Sequence, residues 1–117
     1  MIAFAPGTRV FLACQPVDLR NGFDGLSALV ASRLAADPFG GQMFVFRGKR
    51  GDRLKVLYWD GTGLVLLAKR LEQGRFVWPV IAAGGVALSA AQLALLLEGM
   101  DWRRIILPAP PQRPTAS

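Results

Sequence analysis

The chain of 117 residues carries 14 Lys and Arg against 8 Asp and Glu, a formal net charge of +6, and 52% of its residues are apolar. It has no histidine and one cysteine, which excludes a Ser-His-Asp or Cys-His catalytic site, a His-liganded metal and an internal disulfide. The apolar fraction favours one folded domain, and no apolar run is long enough for a membrane span. No charged and then apolar signal pattern opens the chain, so we expect a cytoplasmic protein.

The first third of the chain predicts a strand followed by a helix. An apolar run predicts a strand over residues 8–14, which ends before Pro16. Cys14 closes this run, and we expect it to be a small buried side chain. Asp18 is placed to cap a helix over residues 19–35, in which apolar positions recur at helical spacing.

The middle of the chain predicts a β-meander, because short apolar runs alternate with turns that contain glycine. Strands are expected over residues 42–47, 53–59, 63–72 and 75–78. Asp60-Gly61, between the second and third of these, is typical of a type I′ turn, in which both central residues take positive φ angles. Pro79 cannot donate a ladder hydrogen bond and therefore ends the last of these strands.

The last third predicts a short strand and a second helix. The strand is expected over residues 86–88, and residues 80–83 before it are apolar without a decisive pattern. Ser89 and Gln92 form a capping-box pattern at the start of the helix. The Pro-rich segment 108–117 has little to bury, so we expect a disordered tail.

These elements predict one α+β domain over residues 8–107, built on an antiparallel β-meander of about four to six strands. The two helices are expected to pack on one face of the sheet. The other face, which carries Trp59 and several basic side chains, would then be available as a binding surface.

Positive charge is concentrated between residues 47 and 75, which hold eight Lys and Arg against three Asp and Glu. Such a cluster favours a polyanion, and a two-stranded ribbon can lie along nucleic-acid phosphates. The alternative is a set of solvated turns whose charges keep a sheet edge from pairing with other chains. The candidate nucleic-acid-binding residues are Arg47, Lys49, Arg50, Arg53, Lys55, Lys69, Arg70 and Arg75.

Other chemistry has less support in the sequence. Bases could stack on aromatic side chains of the meander, although such side chains more often pack in the core of a sheet. These aromatic residues are Tyr58, Trp59, Phe76 and Trp78. Asp60 and Glu98 are expected in a turn and on a helix surface, so the carboxylate cluster of a metal-dependent nuclease is not predicted. No catalytic residue, metal or other cofactor is assigned.

Five strings of the sequence resemble one known protein family. They span residues 10–26, 45–55, 58–64, 68–79 and 92–103, and include Val-Phe-Arg-Gly-Lys-Arg-Gly-Asp-Arg-Leu-Lys and Tyr-Trp-Asp-Gly-Thr-Gly-Leu. The family is the TnpB-type accessory protein of insertion sequence family sixty-six. The resemblance implies a small protein of a mobile element that is needed for transposition, beside a separate DDE-type transposase. It brings no catalytic residues.

Two functions remain open from the sequence. In the first, the chain is a non-catalytic accessory factor that binds DNA phosphates through the basic hairpin, at the element's ends or at the target. In the second, it is an adaptor that docks the element's transposase through an interface containing Trp59, Trp78 or Trp102. A homo-oligomer is compatible with either function, and a membrane is not an expected partner.

Overall fold

The computed structural model describes residues 7–79 and 85–104, which form five strands, two α-helices and a short 3-10 helix. The strands are β1 Val10–Ala13, β2 Met43–Arg47, β3 Arg53–Trp59, β4 Leu64–Arg70 and β5 Gly85–Leu88. The helices are α1 Phe23–Arg33 and α2 Ala90–Leu97, followed by the 3-10 helix Trp102–Arg104. The ambiguous segment 80–83 and the expected tail 108–117 lie outside the described residues.

The strands make one mixed sheet in the order β4-β3-β2-β1-β5. β2, β3 and β4 are antiparallel neighbours in chain order, so the predicted meander is confirmed for these three strands. β1 lies parallel to β2, and β5 lies antiparallel to β1. A parallel pair needs a long crossover connection, which α1 provides between β1 and β2. The α+β class is confirmed, with one parallel pair that the sequence did not predict.

The two helices pack on opposite faces of the sheet, so the expectation that they share one face is wrong. On one side, Leu93 and Leu96 of α2 join a core cluster that includes Val56 of β3. On the other side, Leu26 of α1 joins a second cluster that includes Leu57 of β3. Successive side chains of β3 alternate between the faces, and both faces need an apolar cover. We call the two sides the α2 face and the α1 face.

The chain turns before α1, which begins at Phe23 rather than directly after Asp18. Asp18 does not cap the helix, because its carboxylate accepts hydrogen bonds from the backbone N–H and the guanidinium of Arg20. Asn21 N–H donates to Asp18 O at 3.2 Å and closes the turn. Gly22 is the N-cap and provides no side-chain bond. Asp, Asn and Gly favour such a turn over a further helical turn.

Residues 75–78 form no strand, so the expected last strand of the meander is wrong. Phe76 N–H donates to Gly51 O at 3.0 Å, and Trp78 Nε1–H donates to the same oxygen at 2.9 Å. Phe76 is buried on the α2 face and meets Trp78 edge to face, with ring centroids 5.8 Å apart. Aromatic packing against the loop between β2 and β3 therefore holds this segment, in place of pairing with β4.

The turn between β3 and β4 is not the predicted type I′ turn. Gly61 has a φ of +103°, but Asp60 does not take the second positive φ angle that this type needs. The N–H groups of Thr62 and Gly63 instead donate to Asp60 Oδ1, both at 2.9 Å. The bonds from Thr62 and Gly63 also hold the pKa of the Asp60 carboxyl below its usual range.

Two local predictions are confirmed. At the start of α2, Gln92 N–H donates to Ser89 Oγ at 3.0 Å, and Ser89 N–H donates to Gln92 Oε1 at 2.9 Å, which completes the capping box. Cys14 is buried with 2% of its surface exposed. This burial raises the pKa of its thiol.

Candidate nucleic-acid interface

A groove of about 980 Å³ lies at the end of the sheet where β3 begins and β4 ends. The segment 16–20 and the loop between β2 and β3 complete its walls. We call it the basic groove, because seven Lys and Arg line it against three Asp and Glu. The basic residues are Arg20, Lys49, Arg50, Arg53, Lys55, Lys69 and Arg70, and the acidic ones are Asp18, Asp52 and Glu72. Six of the eight candidate residues from the sequence therefore line one groove.

Arg53 and Arg70 form a cross-strand pair at the rim of the groove, and both side chains are exposed. The next pair along, Asp52 and Leu71, is hydrogen-bonded, since Leu71 N–H donates to Asp52 O at 2.8 Å. Antiparallel pairs alternate in type, so Arg53 and Arg70 form a non-hydrogen-bonded pair, in which side chains approach most closely. Two like charges directly opposite each other destabilise a sheet. The ion pair between Arg70 and Glu72 offsets part of this repulsion, and a bound anion would offset more of it.

Three exposed cations of the groove form no ion pair with a carboxylate in the part of the chain that the structure describes. Lys49, Arg50 and Arg53 are exposed, and no carboxylate of the described residues lies within 4.0 Å of them. Lys49 and Arg50 project from the loop that leads into β3, next to the pair described above. These three cations are open to solvent and to an external anion.

Two other cations of the groove form exposed ion pairs. Arg20 donates to Asp18 at 2.7 Å, and Arg70 donates to Glu72 at 3.0 Å. The hydrogen bonds from Arg20 are the largest cause that lowers the pKa of the Asp18 carboxyl to about 2. Arg20 was not among the predicted residues, because it lies outside the basic hairpin and reaches the groove only through the turn before α1.

Lys55 and Lys69 line the groove but use their ammonium groups within the fold. Lys55 Nζ donates to Asn21 O at 3.0 Å and so ties β3 to the turn before α1. Lys69 Nζ donates to Leu97 O at 2.6 Å, at the C-terminal end of α2. A cation at this position also interacts favourably with the helix dipole. Their first role is therefore structural.

Arg47 and Arg75 lie away from the groove. Arg47 pairs with the buried Leu54, which places its side chain on the α2 face. Its Cζ lies 4.9 Å from the ring centroid of Trp78, and its buried Nε has no hydrogen-bond partner among the described residues. Burial is the largest cause that lowers the pKa of the Arg47 guanidinium, and the charge of Arg75 adds to it. The five charges of the hairpin therefore do not share one exposed face.

Gly51 lets the side chains of Arg75 and Trp78 pack closely against the loop between β2 and β3. Its φ is +79°, and a Cβ atom there would lie 3.2 Å from Trp78 Nε1 and 3.3 Å from Arg75 Cδ. Any other residue would strain the backbone and require Trp78 and Arg75 to shift by a few tenths of an ångström.

The three tryptophans have different environments. Trp102 is buried, and its Nε1–H donates to Val77 O at 2.8 Å, so it belongs to the core. Trp78 covers Arg47. Trp59 meets the exposed Phe39 edge to face, with centroids 5.7 Å apart. Neither this pair nor Phe76 with Trp78 is coplanar, so the paired stacking surface that single-stranded nucleic acid uses is not formed by these rings.

Comparison with known proteins places the chain in a family. The sequence profile described as "IS66 Orf2 like protein" matches residues 8–106. The chain belongs to the IS66 Orf2-like family. The chain is also similar to two proteins of Sinorhizobium fredii (strain NBRC 101917 / NGR234), "Uncharacterized protein y4jC" and "Uncharacterized protein y4hO". The chain is 48% and 44% identical to them over 115 residues, which is 98% of this chain and 97% of each relative.

No solved structure shows a significant match to the chain. Membership in the IS66 Orf2-like family indicates an accessory role in transposition. Within the described residues, His, Cys, Asp and Glu form no group of three that could hold a metal ion. Across residues 7–79 and 85–104, neither helix has the length and apolar character that a membrane crossing requires.

Proposed function

We propose that this IS66 Orf2-like protein is a non-catalytic transposition factor that binds the phosphate backbone of DNA in its basic groove. The observation that carries the proposal is the exposed cross-strand pair of Arg53 and Arg70, with Lys49 and Arg50 beside it. Glu72 offsets part of the repulsion between these like charges through its ion pair with Arg70, and a phosphate bound beside Arg53 would offset more of it.

The chemistry of the groove favours backbone contacts over base reading. Guanidinium groups present paired N–H donors that match phosphate oxygens, and Lys49 adds a point charge. The walls of the basic groove are strand ends and loops, so this surface presents no recognition helix to the major groove of DNA. We therefore propose that the protein holds the element's ends or the target largely without regard to sequence.

The test is the binding of the full chain to a labelled duplex of the element's end and to a shuffled duplex, followed by fluorescence anisotropy over a salt series. If Lys49, Arg50, Arg53 and Arg70 each neutralise a phosphate, log K falls against log salt with a slope of about −3.6 for both duplexes. Absence of binding at low salt, or binding that does not respond to salt, would overturn the proposal.

A second candidate function is an adaptor for the element's transposase. The observation in its favour is the Phe39 and Trp59 pair, because Phe39 is 54% exposed and aromatic side chains are common anchors of protein interfaces. The test is co-purification of the transposase from a nuclease-treated extract. Under this function, the Phe39→Ala and Trp59→Ala double variant loses the transposase and the wild-type chain retains it. Equal recovery with both chains would contradict it.

A further inference from the structure

The outer edge of β4 has backbone groups that no described strand uses. β4 is the last strand of the sheet on its side and pairs only with β3. Leu71 N–H donates to Asp52 O, and Asp60 N–H donates to Gly63 O, so both end pairs of this ladder are hydrogen-bonded. Antiparallel pairs alternate in type. The N–H and C=O groups of Leu64, Leu66, Ala68 and Arg70 therefore point outward, away from β3.

This edge has few of the features that keep strands from pairing. Natural edges are usually short or bulged, or carry proline, charged side chains (especially Lys) or inward-pointing charge. In β4 such residues are confined to Lys69 and Arg70 at its C-terminal end. β4 has seven residues in continuous register with β3, and its first five, Leu-Val-Leu-Leu-Ala, are uncharged and apolar. Its four large apolar side chains are half-buried. Leu67 packs against the core cluster of the α2 face, and Leu64 and Leu66 pack against that of the α1 face. An edge of this length and composition favours another strand beside it.

We propose that this strand is β4 of a second copy of the chain, paired antiparallel about a two-fold axis through Leu67. This register places the outward-facing Leu66 opposite Ala68 of the second copy, so a large side chain meets a small one. It uses every outward backbone group from Leu64 to Arg70 in about eight inter-strand hydrogen bonds. The two five-stranded sheets then become one continuous sheet.

The positions of the charged residues of β4 favour antiparallel over parallel pairing of the two copies. Both charged residues of β4, Lys69 and Arg70, lie at its C-terminal end. Parallel pairing would place them beside their own copies, where like charges destabilise a sheet. Antiparallel pairing places them opposite Val65 and Leu64 of the second copy, at opposite ends of the paired strands.

The axis of such a pair is perpendicular to the sheet, which fixes the arrangement of the two basic grooves. Both grooves lie at the Arg70 end of β4, so they fall at opposite ends of the paired strands and keep the same face orientation. Pairing of the two β4 edges does not depend on DNA binding.

The first test is the mass of the full chain by sedimentation equilibrium over a wide range of concentration. The wild-type chain is expected to reach twice the mass of a 12.6 kDa chain. Ala68→Pro removes one outward N–H from an exposed position that β3 does not use, so this variant is expected to keep its thermal unfolding and remain a single chain. A wild-type chain that stays single at all concentrations would overturn the proposal, as would an Ala68→Pro chain that still associates.

The second test fixes the register and does not depend on the proline variant. Leu67 lies on the proposed axis in a pair without mutual hydrogen bonds, where Cα atoms are about 4.5 Å apart, within the reach of a disulfide. Mild oxidation is expected to cross-link Leu67→Cys chains rapidly. Val65→Cys is the matched control and is expected to form no cross-link, because the substituted positions of the two chains are offset along the paired strands. Cross-linking of neither variant, or of Val65→Cys alone, contradicts pairing about Leu67.

The same measurements identify other occupants of the edge. Strong hydrogen-exchange protection of the Leu66 and Ala68 amides in a single wild-type chain would mean that another segment of the same chain covers β4. Association only in the presence of an added protein would mean that a different partner provides the strand. Either result overturns the pairing of two copies.

Discussion

Arg53 and Arg70 lie opposite each other on β3 and β4, in the type of pair that brings two side chains closest, and both are exposed. Arg53→Glu replaces this repulsion with an attraction to Arg70. The free energy of unfolding is therefore expected to rise by about 0.2–1 kcal/mol in urea titrations. Binding to DNA is expected to weaken in the same variant, because a phosphate contact is replaced by a negative charge.

The matched control for this change is Arg33→Glu, which alters the net charge equally at an exposed position in the last turn of α1. It is expected to lower stability slightly, since a cation near a helix C-terminus is favourable there. Its effect on DNA binding is expected to be smaller than that of Arg53→Glu. Loss of stability in Arg53→Glu, together with unchanged binding, would show that Arg53 has a purely structural role.

Arg47 is expected to matter for stability and not for DNA. Arg47→Ala removes the packing of the guanidinium over Trp78 and is expected to lower the free energy of unfolding by about 1–2 kcal/mol. Arg47→Met keeps an apolar stem and removes the buried Nε that lacks a partner, so it is expected to cost less. The salt dependence of DNA binding is expected to be that of the wild type in both. A shallower slope of log K against log salt in Arg47→Met would show that Arg47 contacts DNA.

Lys69 joins the edge strand to the end of α2. Lys69→Met removes the hydrogen bond to Leu97 O and is expected to lower the free energy of unfolding by about 1–2 kcal/mol. Lys49→Met is the matched control on an exposed loop, with an expected change within about 0.5 kcal/mol. The slope of log K against log salt is expected to become shallower by about 0.9 in Lys49→Met and to stay at the wild-type value in Lys69→Met.

Cys14 is expected to react only when the protein unfolds. Burial raises the pKa of its thiol, so the folded state holds this proton more tightly than the unfolded state does. The stability that this provides is present below the unfolded pKa of about 8.5 and is lost as the pH rises above it. Labelling with a disulfide reagent at pH 8 is expected to be slow in the native protein and fast in urea. Fast labelling of the native chain would show that the thiol is accessible.

Local signals in the sequence predicted the elements that local bonds control. β3 was predicted with its observed bounds, because its alternating side chains and flanking glycines define a strand. The capping box of α2 depends on Ser89 and Gln92, which are three residues apart, and it formed as predicted. The strand predicted over 75–78 failed, because a distant acceptor, Gly51 O, replaced the expected ladder partner.

The composition of the site depended on long-range packing. The sequence grouped Arg47 with Arg53, whereas the register of β2 against β3 sends their side chains to opposite faces. No local pattern predicts that the Lys69 ammonium donates to Leu97 O of α2, because Leu97 lies 28 residues further along the chain. The parallel pairing of β1 with β2, with α1 in the connection between them, likewise lies beyond local patterns.

The proposed function requires that the exposed cations of the groove, and not net charge alone, hold DNA. Two triple variants with the same charge change separate these explanations. One carries Lys49→Ala, Arg50→Ala and Arg53→Ala in the groove, and the other carries Arg9→Ala, Arg33→Ala and Arg103→Ala at exposed positions elsewhere.

The deciding measurement is the slope of log K against log salt for the two triple variants and the wild-type chain on one duplex. The slope is expected to become shallower by about 2.7 in the groove variant and to stay at the wild-type value in the other. Equal slopes for the two triple variants would contradict the proposed function.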